Sequence, residues 1–509
     1  MSMVNSQNGI KSKSLVELAA QLEASIREAA QAGKSLYEVE KDTFSWALQI
    51  GHAAIEQLLM LQGDGDLGES IVTAASRRLE RSEESVERPL RTVFGEHMIR
   101  AYVYAAGAHQ AIELRPVDAR LSLPPGRCSY FFEEFSQYFC VDQAFGQAGQ
   151  GLATVLRQEV SVDTLERTNR RLGEQAEEFL DRLPKPPAKE EGELLVFTAD
   201  GKGVPLVNAD AQRVPAFDKA ERPGNRRMAT LASVYTIDPY VRSPEQIVAA
   251  LFRDEAGPRP KEKDRPQPKF KHVTARFTRM REDPDGEQWE SNGTIEAFAW
   301  ADEQIAQRRR PGQKLLRLMD GQASLWDTAD AGLNVPPEDT IDILDILHVS
   351  SYVWRAAKEF YPHQEQREAF ARDRLLRILQ GEVRGVISGL RQMASKRGLK
   401  GKRLEEIGTV CGYFEKHADR MRYDQYLAAG YPIATGVIEG ACRHLVKDRM
   451  ERSGMRWRVA GAQPMLHVRA VYQSSYWHDF HRDRIAREQR VLHPNRALLR
   501  NYHPVALAG

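Results

Sequence analysis

Two apolar runs in this 509-residue chain end in the same way. Leu194, Leu195, Val196 and Phe197 lead into Asp200-Gly201-Lys202-Gly203, and Leu315, Leu316, Leu318 and Met319 lead into Asp320-Gly321. A carboxylate at the exposed end of a buried strand is placed to hold a metal ion, although Asp-Gly also closes many ordinary turns. A third carboxylate, Glu439, stands in the first turn of a helix read from GVIEGACRHLVKDRMERSGMRW. The three acids lie about 120 residues apart, enough chain for intervening elements to bring them to one edge of a sheet. Magnesium prefers hard oxygen ligands and takes few protein carboxylates per ion. Two such ions can activate the attacking oxygen on one side of a phosphodiester and stabilise the leaving oxygen on the other.

The surrounding residues leave some roles open. In TIDILDILHV, Asp345 is the alternative second carboxylate. Asp320 is preferred because it repeats the pattern of Asp200, whereas Asp345 lies inside its apolar run and reads as a support for the site. His348 fits either a hydrogen-bonded core histidine at a strand end or a support role, and Lys202 either a phosphate contact or a plain turn lysine. Arg443 and Lys447 follow Glu439 by one and two helical turns, so phosphate contacts would share its face. Arg449, Arg452, Arg456 and Arg458 continue the basic series. Trp457 stacks on an unpaired base or closes the core, and the core is preferred.

These acids need elements to position them. Further strands are expected at residues 226–238 and 272–278, separated by the polar, proline-rich GPRPKEKDRPQPK, a surface loop. Ile295, Phe298 and Ile305 mark a helix. Residues 350–430 read as helical throughout, an all-α insertion domain within an α/β catalytic core formed by residues 191–349 and 431–509. Residues 1–88 form an acidic helical lead-in, with Leu15, Leu18, Leu22 and Ile26 at helical spacing and an Arg/Glu-rich linker over 77–88. Residues 89–190 hold a hairpin around Gly95 and two helices, AFGQAGQGLATVLRQ and SVDTLERTNRRLGEQAEEFL, the second capped by Ser161. Such a pair fits a helix-turn-helix that presents Arg167, Asn169, Arg170 and Arg171 to DNA. The segment 184–191 is a Pro-rich linker.

Composition bounds the rest. The chain is 42% hydrophobic and 28% charged, the balance of a globular protein. It has no apolar run long enough to span a bilayer and no signal-peptide core at its start, so a cytoplasmic, nucleoid-associated protein with no membrane partner is expected. Four cysteines, Cys128, Cys140, Cys411 and Cys442, are far apart with no C-x-x-C pair and read as reduced. Net charge is only +1, but residues 1–90 carry 9 Lys and Arg against 14 Asp and Glu, whereas residues 441–509 carry 13 against 5. A concentrated basic end in a neutral chain suggests a local polyanion site; a solvated basic tail would look the same.

The runs TADGKGVPL, LMDGQASLW, ILDILHVSSYVWRAA and YPIATGVIEGACRHLVKDRMERSGMRW together resemble the ISKra-type bacterial insertion-sequence transposases, over residues 89–480. The resemblance implies a DDE enzyme whose core is a ribonuclease H-like mixed sheet with flanking helices, with Asp200, Asp320 and Glu439 as catalytic triad and metal ligands. It also implies two Mg2+ or Mn2+ ions and no nucleotide cofactor, with cleavage at terminal inverted repeats and strand transfer without a covalent protein–DNA intermediate. Its partners would be the double-stranded DNA of transposon ends and target, held by at least a dimer. Two other readings share these residues: a DNA-binding protein derived from such an element, and a metal-dependent nuclease that hydrolyses without joining.

Overall fold

The computed structural model describes residues 14–107, 110–214, 224–254, 265–283 and 285–504. The chain forms two compact units, one of residues 1–168 with 478–509 and one of residues 169–477. The segmentation read from the sequence differs: it places 169–190 with the DNA-binding region and 478–509 with the catalytic core.

The first unit opens with helices α1 (Leu15–Gln31) and α2 (Leu36–Met60), each started by a serine capping box, Ser14 with Glu17 and Ser35 with Glu38. Strands β1 (Ser70–Val72), β2 (Arg78–Arg81), β3 (Val86–Thr92), β4 (Gly95–Ala101), β5 (Tyr104–Ala105) and β6 (Ile112–Leu114) come next in the chain. β3 and β4 form a hairpin, and the others a four-stranded sheet in the order β1-β2-β5-β6. The expected linker over residues 77–88 is therefore β2 and the start of β3. Leu79 alone faces inward in β2, fully buried, and its charged neighbours on the solvent side hide the two-residue period.

Helices α3 (Pro116–Leu121), α4 (Tyr130–Cys140), α5 (Phe145–Leu156) and α6 (Val162–Asp181) come after the strands, and Ser161 Oγ accepts from Thr164 N at the start of α6. The helix Trp477–Leu492 supplies Arg484, fully buried, whose guanidinium donates to Glu133 on α4 at 3.0 Å and lies over the Tyr130 ring. That pairing makes residues 478–509 part of this unit.

The second unit is a mixed α/β domain. Its strands are β7 (Leu194–Pro205), β8 (Arg226–Ile237), β9 (Lys269–Phe277), a small β10–β11 hairpin (Arg279–Glu282 and Gln288–Ser291), β12 (Leu315–Met319) and β13 (Thr340–Leu344). Five of them make one sheet, in the order β13-β12-β7-β8-β9. β7, β8 and β9 form an antiparallel meander, while β12 and β13 run parallel to β7. Between strands lie α7 (Asn208–Arg213), α8 (Pro244–Leu251), α9 (Gly293–Arg308) and α10 (Ala323–Gly332). Residues 257–264 of the expected polar loop lie outside the described residues. Glu191, at the end of the expected linker, is instead buried against Arg308 of α9 at 2.7 Å.

After β13 come α11 (Ile346–Phe360), α12 (Gln364–Leu379), α13 (Val383–Lys396), α14 (Lys402–His417) and α15 (Tyr423–Ala428). Their apolar faces close one core with Val196, Leu316, Leu318 and Ile343 from one face of the sheet. Phe197, on the opposite face, packs edge-on against Phe298 of α9. Burial on both faces explains why β12 is apolar almost throughout. The chain returns to the sheet through α16 (Gly436–Ala441), a π-helical turn at Cys442–Lys447, the short α17 (Asp448–Met450) and α18 (Val459–Gln473).

Candidate active site

Strand register brings the acids together. Leu315 pairs with Leu195 on β7 and with Thr340 on β13. Carried past the end of β12, that register sets Asp320 across from Asp200 on one side and from Asp345 on the other. The amide of Asp345 still donates to Met319 O at 2.9 Å, one step beyond the paired residues. Neighbouring strands run about 4.8 Å apart, and residues level with one another point to the same face. All three aspartates share the parity of Val196, Leu316 and Leu318, and so the face toward α11–α15.

The row is made differently from the sequence expectation. Asp200 does not end its strand: β7 continues to Pro205, with Asp200 paired to Leu231 of β8. Its other edge opens because β12 stops at Met319. Neither Gly201 nor Gly321 has a positive φ, so neither Asp-Gly is a left-handed turn. Gly321 serves close packing instead, since a Cβ there would lie 2.3 Å from a ring carbon of Tyr413 on α14.

Asp345 lies past the end of β13 and caps α11. It is fully buried; Oδ1 accepts from Leu347 N at 3.0 Å and Thr435 N at 3.3 Å, and Oδ2 accepts from Thr435 Oγ1 at 2.7 Å. Thr435 is the residue before α16. Asp345 therefore fastens the start of the Glu439 helix to the sheet. One turn beyond Glu439, the Cys442 thiol donates to Asp200 Oδ2 at 3.2 Å. Glu439, three residues earlier and on the same helical face, is exposed.

Electrostatics tie the group together. Burial raises the Asp200 carboxyl above its ordinary value, and the charge of Asp320 adds to the rise, against the lowering effect of the Cys442 thiol and Gly201 amide. Burial likewise raises Asp345, opposed by its bonds to Thr435 and Leu347. Glu439 is raised by partial burial and then by the charges of Asp345 and Asp200. His348 is exposed in the first turn of α11, not buried at a strand end, and its charge pulls all three down. Among the described residues, no lysine, arginine or histidine forms an ion pair with Asp200, Asp320 or Glu439. Hard oxygens gathered without a counter-charge fit a divalent cation.

Lys202 lies two residues past Asp200 on the same face of β7 and is half-buried, close enough for its charge to act on Cys442. Cys442, Thr435 and Tyr413 belong to the site and are missed by the sequence reading. Cys442 carries a signal, since it lies one turn from Glu439.

The basic residues divide by burial. Arg443, Lys447, Arg456 and Arg458 are exposed, and Arg452 is half-buried with Nε on Asp448 O at 3.2 Å. The π-helical turn widens the helix between Glu439 and Lys447, so the expected one-turn spacing does not hold beyond Cys442. Arg449 is not a surface cation: it is fully buried, with its guanidinium over the Trp457 ring at 5.0 Å. Trp457 is a core residue, its indole N–H donating to Met450 O at 3.2 Å. On α6, Arg167 is exposed and paired with Asp163 at 2.8 Å, Arg170 is exposed and Arg171 half-buried. Asn169, expected to read DNA, is buried with its amide toward Met465 Sδ at 4.0 Å. The four cysteines are free and buried. A cleft of about 830 Å³ near Arg279, Arg281 and Arg458 is lined by none of Asp200, Asp320, Asp345 and Glu439.

No family model matches the chain, and no curated protein matches it. Among solved structures, one described as a Drosophila P element transposase strand transfer complex is similar at 10% identity and a TM-score of 0.24, covering 75% of this chain and 89% of that one. A likeness at that score carries no weight for function. No helix among the described residues is long and apolar enough to cross a membrane.

Proposed function

We propose that this chain is a DDE transposase, which cuts DNA at the terminal inverted repeats of an insertion sequence and joins the freed ends to a target. The observation that carries the reading is the in-register row of Asp200 and Asp320 beside the Glu439 helix, which Thr435 and Cys442 fasten to the same sheet edge. An antiparallel meander extended on its first strand by two parallel strands is also the order expected of a ribonuclease H-like sheet. Asp200, Asp320 and Glu439 would hold Mg2+ or Mn2+, which when bound supplies a polarised attacking oxygen and stabilises the leaving one. The protein's part is to fix these acids before DNA arrives. Asp345 does this from behind, and Cys442 holds the rotamer of Asp200. Exposed Arg443, Lys447, Arg456 and Arg458 would bind phosphates without reading sequence. Pairing two transposon ends calls for at least a dimer on DNA.

The test uses a supercoiled donor carrying candidate inverted repeats with Mg2+. Wild-type protein should give joined products, and Asp200→Asn should abolish cleavage while DNA affinity stays within about twofold. Full-rate cutting by that variant would end the proposal. Cleavage without joining would favour the nuclease, and binding without any cleavage the DNA-binding derivative.

A further inference from the structure

The first unit holds a second group of ligand-type side chains, remote in sequence from the acids above. His52 and Glu56 stand one turn apart on α2, and His97 projects from β4. One ligand atom from each lies within 4.8 Å of the other two. Glu56 Oε1 is 2.6 Å from His97 Nδ1 and 4.0 Å from His52 Nε2. Tetrahedral zinc with bonds of 2.0–2.1 Å needs ligand atoms about 3.3 Å apart, so these separations bracket the requirement.

The remaining ring nitrogens are already engaged in the way metal-bound histidines require. His52 Nδ1 faces Phe94 O at 3.2 Å, and His97 Nε2 faces Thr92 Oγ1 at 3.0 Å. Each ring can thus donate its one N–H to a neighbouring oxygen and leave its other nitrogen bare. The two imidazole centroids lie 4.5 Å apart. His97 is buried while His52 and Glu56 are partly exposed, leaving one side open for water. Two glycines permit the approach. A Cβ on Gly51 would lie 2.3 Å from the Phe94 ring, and one on Gly95 would lie 2.9 Å from His52 Nδ1.

We propose that His52, Glu56 and His97 form a zinc site, with water as fourth ligand, that pins α2 to the β3–β4 hairpin. The site is independent of the carboxylate cluster, and its test does not read activity.

Untagged full-length protein would be equilibrated with Zn2+ in excess Mg2+, dialysed, and its zinc measured by mass spectrometry. One zinc per chain is expected for wild type and for Asp200→Asn. His52→Ala and Glu56→Gln, both at partly exposed positions, should each weaken binding at least tenfold, the scale expected for loss of a ligand when even outer contacts are worth 10–100-fold. Co2+ should give visible bands of tetrahedral intensity that vanish in His52→Ala. Circular dichroism confirms that the variants are folded. Stoichiometric zinc retained by folded His52→Ala and Glu56→Gln, zinc lost in Asp200→Asn, or no zinc in wild type would each overturn the proposal.

Discussion

Substituting the two candidate second carboxylates separates catalysis from scaffolding. Asp345 accepts from Leu347 N, Thr435 N and Thr435 Oγ1 and is fully buried. Asp345→Ala removes a helix cap, worth about 1 kcal/mol, and strands a buried hydroxyl and amide at about 1–3 kcal/mol. The expected loss is therefore about 2–4 kcal/mol. Unfolding entropy near 2.1 cal/mol/K per residue makes 1 kcal/mol worth about 1.5 °C in a unit of roughly 300 residues, so Tm should fall by about 3–6 °C. Asp320 is half-buried and accepts one bond, from Gln322 N at 2.9 Å. Asp320→Asn keeps that acceptor and should move Tm by less than about 1 °C, since a surface-type change costs within about 0.5 kcal/mol. Its metal-dependent cleavage should nonetheless disappear. Scanning calorimetry and the plasmid cleavage assay read the two effects. Full cleavage by Asp320→Asn, with Asp345→Asn inactive at unchanged Tm, would show that the roles had been assigned in reverse.

Burial predicts opposite fates for two cations of the basic segment. Lys447→Ala should lower the slope of log affinity against log salt by about 1 and leave Tm unchanged, whereas Arg449→Ala should cost about 2–4 kcal/mol of stability with the slope intact; salt-titrated binding and calorimetry decide, and equal slopes for Lys447→Ala and wild type would remove that residue from the DNA surface. A pH effect is expected at Glu177, which takes guanidinium hydrogen bonds from Arg276, Arg279 and Arg281. Burial raises its carboxyl, but nearby positive charge prevails and holds it below an ordinary 4.5; with His467 kept neutral by burial, the three guanidiniums supply that charge. A depressed carboxylate stabilises the fold fully above pH 4.5 and loses that contribution as pH falls through its lowered folded-state pKa, so the stability gap between wild type and Glu177→Gln should shrink as pH falls below 4.5 in denaturant titrations. A gap independent of pH would refute the assignment.

The apolar strands and the helical insertion can be read from the chain because burial on two faces leaves a continuous apolar run, which composition alone exposes. Register cannot, for it is set by packing across strands distant in sequence. Asp200, Asp320 and Asp345 each come after an apolar run, yet only the pairing of β7, β12 and β13 sets them level. Polar residues mislead wherever a tertiary contact decides their fate. Arg449 and Asn169 have the types of DNA contacts, and nothing local marks them as buried. His52 and Glu56 carry a readable one-turn spacing, but their partner His97 arrives from a hairpin some forty residues away.

Acceptor occupancy then ranks the carboxylates more sharply than position on a strand does. An ionised carboxylate offers about four lone-pair directions, and those spent on protein donors are withdrawn from an ion. Asp345 spends three, all on donors that a fold would have to break to release. Asp200 spends one on its own neighbour's amide and one on a thiol, a weak donor. Asp320 spends one on the Gln322 amide, and Glu439 is exposed with no donor assigned among the described residues. The carboxylates with acceptor capacity to spare are thus Asp200, Asp320 and Glu439. The one that shares the row of Asp200 and Asp320 and has the least capacity left, Asp345, is the one that fastens the start of the Glu439 helix to the sheet.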